Sequence, residues 1–260
     1  MKETQYERTN LLIGEAAVEV LKKSKVAVFG LGGVGGMVVE SLARIGVGEF
    51  LLIDGDVVSL SNLNRQVIAT QNNVGRKKTG VMRERVLSIN PNIKVDILDI
   101  FVLEENIDTI DLSSMNYVVD AIDTITSKLA IAAKCFKENI NLISSMGAGN
   151  RTSMDFKVSD IFESSICPIA KLMRRRLRQR GVDKLKVVYS LEVPKGHFNE
   201  YDNDNSSDGD ALDCRLIGDV DTKILDGKRK RVRKTIGSIP FAPMCAGLYL
   251  ASEVVKDLIK

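Results

Sequence analysis

The sequence predicts an α/β fold, a doubly wound, Rossmann-like and mainly parallel sheet with helices on both faces. Three observations predict it. An apolar, β-branched run ends in Gly30-x-Gly32-x-x-Gly35, with Gly33 also inside it, the pattern of a strand that turns sharply into a helix. A second apolar run ends in Asp54, 19 residues beyond Gly35, where such folds place an acid that accepts hydrogen bonds from ribose hydroxyls. Strand and helix periods then alternate, as a sheet covered on both faces requires.

Taken in order, Leu11, Leu12, Ala16, Val20 and Leu21 place an apolar stripe on a first helix, read as a packing helix. A strand over 26–30 leads into a helix near 33–45, whose first-turn N–H groups and dipole can hold phosphate. Only glycine lets a backbone come that close. Strand 50–54, helix 79–89, strand 95–101, strand 117–121, helix 127–138 and strand 142–145 continue the alternation. Pro91, after Asn90, closes a helix. Beyond Gly149 the character changes to a strand over 156–161, an arginine-rich helix over 166–180 and a strand over 186–191. A polar tract over 195–234 then reads as a long, mobile insertion between a main domain, 1–194, and a closing helix in 235–260 with its period at 244–259.

Composition sets limits. The chain has 260 residues, 44% apolar and 27% charged, enough for one large domain with a buried core. It has no apolar signal region at the N-terminus and no run of bilayer length, so a cytoplasmic location and no membrane are expected. Cys135, Cys167, Cys214 and Cys245 stand at least 31 positions apart, which fits neither a metal site nor a disulfide framework. His197 is the only histidine, so a nucleophile–His triad is not expected. Cys167 is read as structural, since nothing beyond nearby Lys171 and the arginines marks a depressed thiol pKa. The helix carrying Arg174, Arg175, Arg176 and Arg178 reads either as a solvated face or as a nucleic-acid surface, and the basic run 228–234 as a solubilising segment or a phosphate contact.

The glycine pattern alone suits a nicotinamide-dependent oxidoreductase. The segment after Asp54 does not, because a polar loop of more than twenty residues carries Asp56, Asn62, Asn64, Arg65, Gln66, Arg76, Lys77 and Lys78 before helical periodicity resumes. That much positive charge suits a triphosphate losing pyrophosphate, where charge builds on the bridging oxygen.

On these residues the chain resembles the ThiF-like, ubiquitin-activating-type adenylyltransferase family. The match runs in order through Arg8, the glycine turn, Asp54-x-Asp56, Ser61-Asn62-Leu63-Asn64-Arg65-Gln66, Val74-Gly75 with Lys78, Ile89-Asn90-Pro91 and Asp120-x-x-Asp123, over about residues 6–160. The resemblance implies that Gly30, Gly32, Gly33 and Gly35 cradle ATP, with Asp54 on the ribose and Asp56, Asn62, Asn64 and Gln66 completing the nucleotide site. It places Arg65 and Lys78 on the phosphates and Asp123 at Mg²⁺ and the α-phosphate. Arg8 is implied to reach across a homodimer interface into the partner's site. The implied chemistry is attack of a carboxylate on the α-phosphate.

The segments Arg8-Thr9-Asn10-Leu11-Leu12-Ile13-Gly14, Ser145-Met146-Gly147-Ala148-Gly149-Asn150 and Cys167-Pro168-x-Ala170-Lys171-x-Met173-Arg174-Arg175 narrow the resemblance to the tRNA threonylcarbamoyladenosine dehydratases. That implies ATP-dependent dehydration of the modified adenosine beside the anticodon, with tRNA on Arg174, Arg175, Arg176 and Arg178 and room for a sulfur-transfer protein as partner. AMP with pyrophosphate and ADP both stay open as products. The alternative is adenylation of the C-terminal glycine of a ubiquitin-like sulfur carrier, though the paired Cys-x-x-Cys elements of many such enzymes are missing. The tract 195–234 departs from the dehydratase pattern.

Overall fold

The computed structural model describes residues 4–195, 220–225, 228–233 and 236–260. Helices α1 (Glu7–Ile13) and α2 (Glu15–Lys23) precede β1 (Lys25–Phe29), α3 (Gly35–Ile45), β2 (Glu49–Ile53), α4 (Lys78–Ile89) and β3 (Lys94–Leu98). Then come β4 (Tyr117–Asp120), α5 (Ile125–Lys137), β5 (Leu142–Ser145), β6 (Phe156–Asp160), α6 (Pro168–Gln179), β7 (Lys186–Ser190) and a closing helix α7 (Phe241–Leu258). Seven strands form one sheet in the order β3-β2-β1-β4-β5-β7-β6, all parallel except β6, which runs antiparallel to β7 at the edge.

Alternation along each strand builds the two layers. Val26 and Val28 of β1 face a core shared with α2, α3, α4 and α7, whereas Ala27 and Phe29 face a second core under α5. A third cluster joins α5 to α6 through Leu129, Ala170, Met173 and Leu177. Strands this buried on both faces are the β-branched runs the sequence displays. From β1 the chain moves out to β2 and β3, then returns to β4 on the other side of β1. That reversal opens a crevice at the carboxyl ends of β1 and β4, the usual ligand position in such sheets.

Of the N-terminal stripe only Leu21 packs into the core. Gly14, at φ +84°, splits the expected helix in two, which puts the apolar positions of α1 out of phase with those of α2. Leu11 and Leu12 are each 85% exposed, Ala16 and Val20 are also exposed, and Val18 and Leu21 are the residues buried here. Strand β3 ends at Leu98, which leaves Phe101 62% exposed beside Gly55, where a Cβ would meet its ring at 2.7 Å.

Part of the polar tract is ordered into a hairpin, β8 (Val220–Leu225) against β9 (Lys228–Arg233), so most of the basic run is a strand. His197, Cys214, the acidic stretch 203–210 and the mobility expected there lie outside the described residues. Among the described residues no helix is long and apolar enough to cross a membrane.

Candidate active site

A cavity of about 1120 Å³ opens at the carboxyl ends of β1, β2, β4 and β5, above the roughly 300–1,000 Å³ usual for a small-molecule site. Its floor is the β1–α3 turn. Gly30 takes φ +86°, and a Cβ there would stand 2.8 Å from the Ala121 carbonyl oxygen. A Cβ on Gly35 would fall 1.8 Å from the Gly30 oxygen, so the turn cannot close with any side chain at that position. Gly30, Gly32 and Gly33 line the cavity, while Gly35 lies under the turn. Helix α3 starts there without a side-chain cap on its first N–H groups, which leaves its positive end for an anion.

Asp54 Oδ2 accepts from the Leu31 N–H at 2.7 Å and Oδ1 from the Asp56 N–H at 2.8 Å. These bonds fix the carboxylate at the end of β2. Lys78, buried at the start of α4, places Nζ 2.9 Å from Asp56 Oδ2 and 3.9 Å from Asp54 Oδ2. Arg65 Nη1 donates to the Ser61 carbonyl and to Asn64 Oδ1, both at 2.9 Å. Asn62 caps the short turn Leu60–Asn62 through the Ser59 N–H. Gln66 is 7% exposed and lines the cavity, and its Oε1 has no hydrogen-bond partner among the described residues. An orphaned buried amide of this kind is what a ligand group satisfies. Glycine turn, strand-end acid, paired cations and open amide together fit a nucleoside triphosphate.

Asp123 is exposed at the same cavity, and among the described residues its carboxylate holds only the Thr124 hydroxyl, at 3.3 Å. No group of three metal-ligating side chains occurs among the described residues. One carboxylate with phosphate oxygens is the manner in which nucleotide sites hold Mg²⁺, so Asp123 fits that ion.

The remaining residues singled out in the sequence lie elsewhere. Asn64 donates to the Ser238 carbonyl at 2.8 Å and so ties the loop to the segment before α7. Arg8 is exposed on α1 and does not line this chain's cavity. On α6, Arg174 turns inward and donates to the Ser164 carbonyl at 2.8 Å and its hydroxyl at 2.6 Å. Arg175 is exposed, Arg176 is half-buried and Arg178 lies 5.1 Å over the Phe162 ring. The Cys167 side chain is 1% exposed.

The β4–β5 side joins Asp120 to groups that the sequence did not single out, Lys128, Ser144 and Arg151. Lys128 Nζ sits 3.0 Å from Asp120 Oδ2 and 3.3 Å from Ser144 Oγ, and the Ser144 hydroxyl donates to the same carboxylate at 2.6 Å. All three are buried, and Lys128 lines the cavity. Arg151, beyond β5, lines it too. Its segment is clasped by Glu192, whose carboxylate accepts from the Thr152 and Ser153 N–H groups at 2.8 and 2.7 Å. Those donors, the Ser153 N–H first, hold the Glu192 carboxyl down at about 2. The only local signal for Arg151 was its place just after a strand end beside the sheet's switch point.

Fold and cavity define a nucleotide-binding α/β protein. The chain belongs to the ThiF family, whose model matches residues 6–260. It is 38% identical over 258 residues to the tRNA threonylcarbamoyladenosine dehydratase of Bacillus subtilis, covering 98% of this chain and 95% of that protein. Its structure is similar to that of Escherichia coli tRNA N6-threonylcarbamoyladenosine dehydratase in complex with AMP, with a TM-score of 0.80, 28% identity and coverage of 98% and 94%. The same enzyme in complex with ATP gives a TM-score of 0.79 over 98% and 93% of the two chains.

Proposed function

We propose that the chain is an ATP-dependent tRNA threonylcarbamoyladenosine dehydratase that activates the substrate carboxylate by adenylation. The observation that carries this reading is one continuous cavity joining the glycine turn to the ends of β4 and β5, in a chain that matches such dehydratases over nearly its whole length. ATP lies with its phosphates on the glycine turn and the α3 amino end, and with its ribose on Asp54. A carboxylate oxygen attacks the α-phosphorus, the bond to the bridging oxygen breaks, and pyrophosphate leaves. Arg65 and Lys78 stabilise the charge growing on that leaving group. Lys78 now faces Asp56 and Asp54, so a triphosphate competes with those carboxylates for its ammonium. Asp123 would hold Mg²⁺ against the phosphates, supplying further charge neutralisation. A nucleophile on the substrate's own carbamoyl group then captures the activated carbonyl and releases AMP. The chain's remaining task is to position the groups and exclude water.

A homodimer completes the site in this reading. Arg8 shares a short helix with Leu11 and Leu12, both 85% exposed, and that apolar face supports a symmetric contact which carries Arg8 into the partner's cavity. Arg175, Arg176 and Arg178 supply tRNA contacts along α6, whose first residues Pro168 and Ile169 line the cavity.

The test incubates the protein with α-phosphate-labelled ATP and an anticodon stem-loop carrying threonylcarbamoyladenosine. The expected products are labelled AMP and an RNA lighter by one water. Labelled ADP as the only nucleotide product would overturn adenylation. Turnover with a sulfur-carrier protein in place of RNA would move the substrate to the alternative.

A further inference from the structure

The end of the cavity away from the glycine turn holds a charge that the mechanism above leaves unused. Arg151 is 4% exposed and lines the cavity. Its Nε donates to the Glu192 carbonyl at 3.3 Å, its Nη1 to the Gly149 carbonyl at 3.2 Å, and its Nη2 meets Cys167 Sγ at 3.9 Å. Two of these acceptors are backbone carbonyls and the third is a sulfur. Among the described residues no carboxylate pairs with the guanidinium, and both oxygens of the adjacent Glu192 are committed to Thr152 and Ser153. Burial of a guanidinium that no carboxylate bonds directly is costly, and it has five N–H donors, so about two remain for a ligand.

A second feature converges on the same place. Helix α6 begins at Pro168 with Cys167 as an N-cap whose side chain accepts no bond from the helix's own N–H groups, and Pro168 and Ile169 line the cavity. The positive end of a twelve-residue helix therefore stands beside the Arg151 fork. The residues just before the touching pair, Asn150 at φ +55° and Ile166 at φ +64°, occupy the left-handed region. For a β-branched residue that is a true outlier, of the kind that persists where the surroundings enforce it.

We propose that Arg151 and the amino end of α6 form an oxyanion subsite for the second substrate, and that it takes the carboxylate to be activated. The assignment rests on the dehydratase reading above. Strand β5 lies two strands, about 10 Å, from β1, and the fork lies beyond its end in the cavity that the glycine turn also lines. A carboxylate held there in bidentate fashion is presented to the α-phosphate instead of diffusing in the cavity. The same oxyanion chemistry could come from a backbone phosphodiester beside the modified nucleotide, and the experiment separates the two.

Binding of two anticodon stem-loops, one carrying the threonylcarbamoyl group and one without it, is measured for the wild type, Arg151→Gln and Arg151→Lys, with ATP affinity alongside. The wild type should prefer the modified RNA. Arg151→Gln should lose about ten- to a hundredfold on that RNA alone, with unmodified RNA and ATP unchanged and with partial recovery in Arg151→Lys. Equal loss on both RNAs assigns the guanidinium to a phosphodiester and overturns the carboxylate assignment. Unchanged binding of both RNAs by Arg151→Gln overturns the subsite, and so does a parallel loss of ATP binding, which marks a structural prop. A wild type that does not distinguish the RNAs overturns the dehydratase reading and the subsite with it.

Discussion

On the β1–β2 side of the cavity, ligand groups are presented by backbone and by acids at strand ends, with Asp54 held by the N–H groups of Leu31 and Asp56. On the β4–β5 side the corresponding places are taken by buried charges, Lys128 with Asp120 and Ser144, and Arg151 on backbone carbonyls. The first side repeats a solution available to any βαβ unit that binds a nucleotide. The second depends on charges desolvated by the whole fold. The difference suggests a division of labour, in which one side recognises a common ligand and the other a particular one.

The largest effect that could break this comparison lies in the buried triad. Lys128→Met leaves Asp120 as an uncompensated buried carboxylate, and the urea midpoint should fall by an amount equivalent to about 3–5 kcal/mol. Adding Asp120→Asn should recover part of the loss. A single variant as stable as the wild type would mean that the charges of the β4–β5 side are solvated after all, and the contrast would fail.

Next in size is a kinetic contrast within the nucleotide side. Arg65→Ala should lower kcat by about two to three orders of magnitude, because it removes a group aimed at charge that develops in the transition state. Asp54→Ala should mainly raise KM for ATP, since the ribose is held alike before and during reaction. If Arg65→Ala raised KM alone, the residue would be a binding group and the phosphate assignment would need revision.

The smallest effect sharpens the picture of the β4–β5 side. Glu192 has its carboxyl depressed from 4.5 to about 2 by the Ser153 and Thr152 N–H groups. A depressed folded pKa means that the clasp contributes stability above the unfolded value and loses it as pH falls through the folded one. The Ser153 amide, followed by NMR between pH 5 and pH 2, should therefore titrate with a midpoint near 2. A midpoint near 4.5 would show that the clasp around Arg151 is open in solution.

The parts of the site that sequence made legible share one physical property, a signal confined to a short window. Gly30 and Gly35 are required by a turn whose own atoms would collide with a side chain, and Asp54 follows at the spacing of one crossover helix. The parallel sheet was legible for a similar reason, since strands buried on both faces must be apolar throughout. Other placements were decided by a neighbour. Leu11 and Leu12 have the helical period of a core face, but the left-handed Gly14 turns them out to solvent. Arg174 looks like its neighbours in the basic run, yet the carbonyls at the end of the short turn before α6 draw it inward. Asn64 belongs to the most specific motif of the chain and serves to hold the segment before α7.

The sequence by itself determined the doubly wound fold class and the position of the nucleotide turn, because these follow from local periodicity and from backbone conformations only glycine adopts, and its ordered motifs carried the resemblance to the family. Tertiary structure alone decided which charges face the second half of the cavity. Lys128 and Arg151 carry no local pattern, and burial against partners as far as 41 positions away makes one a closed pair and leaves the other without a directly bonded carboxylate among the described residues.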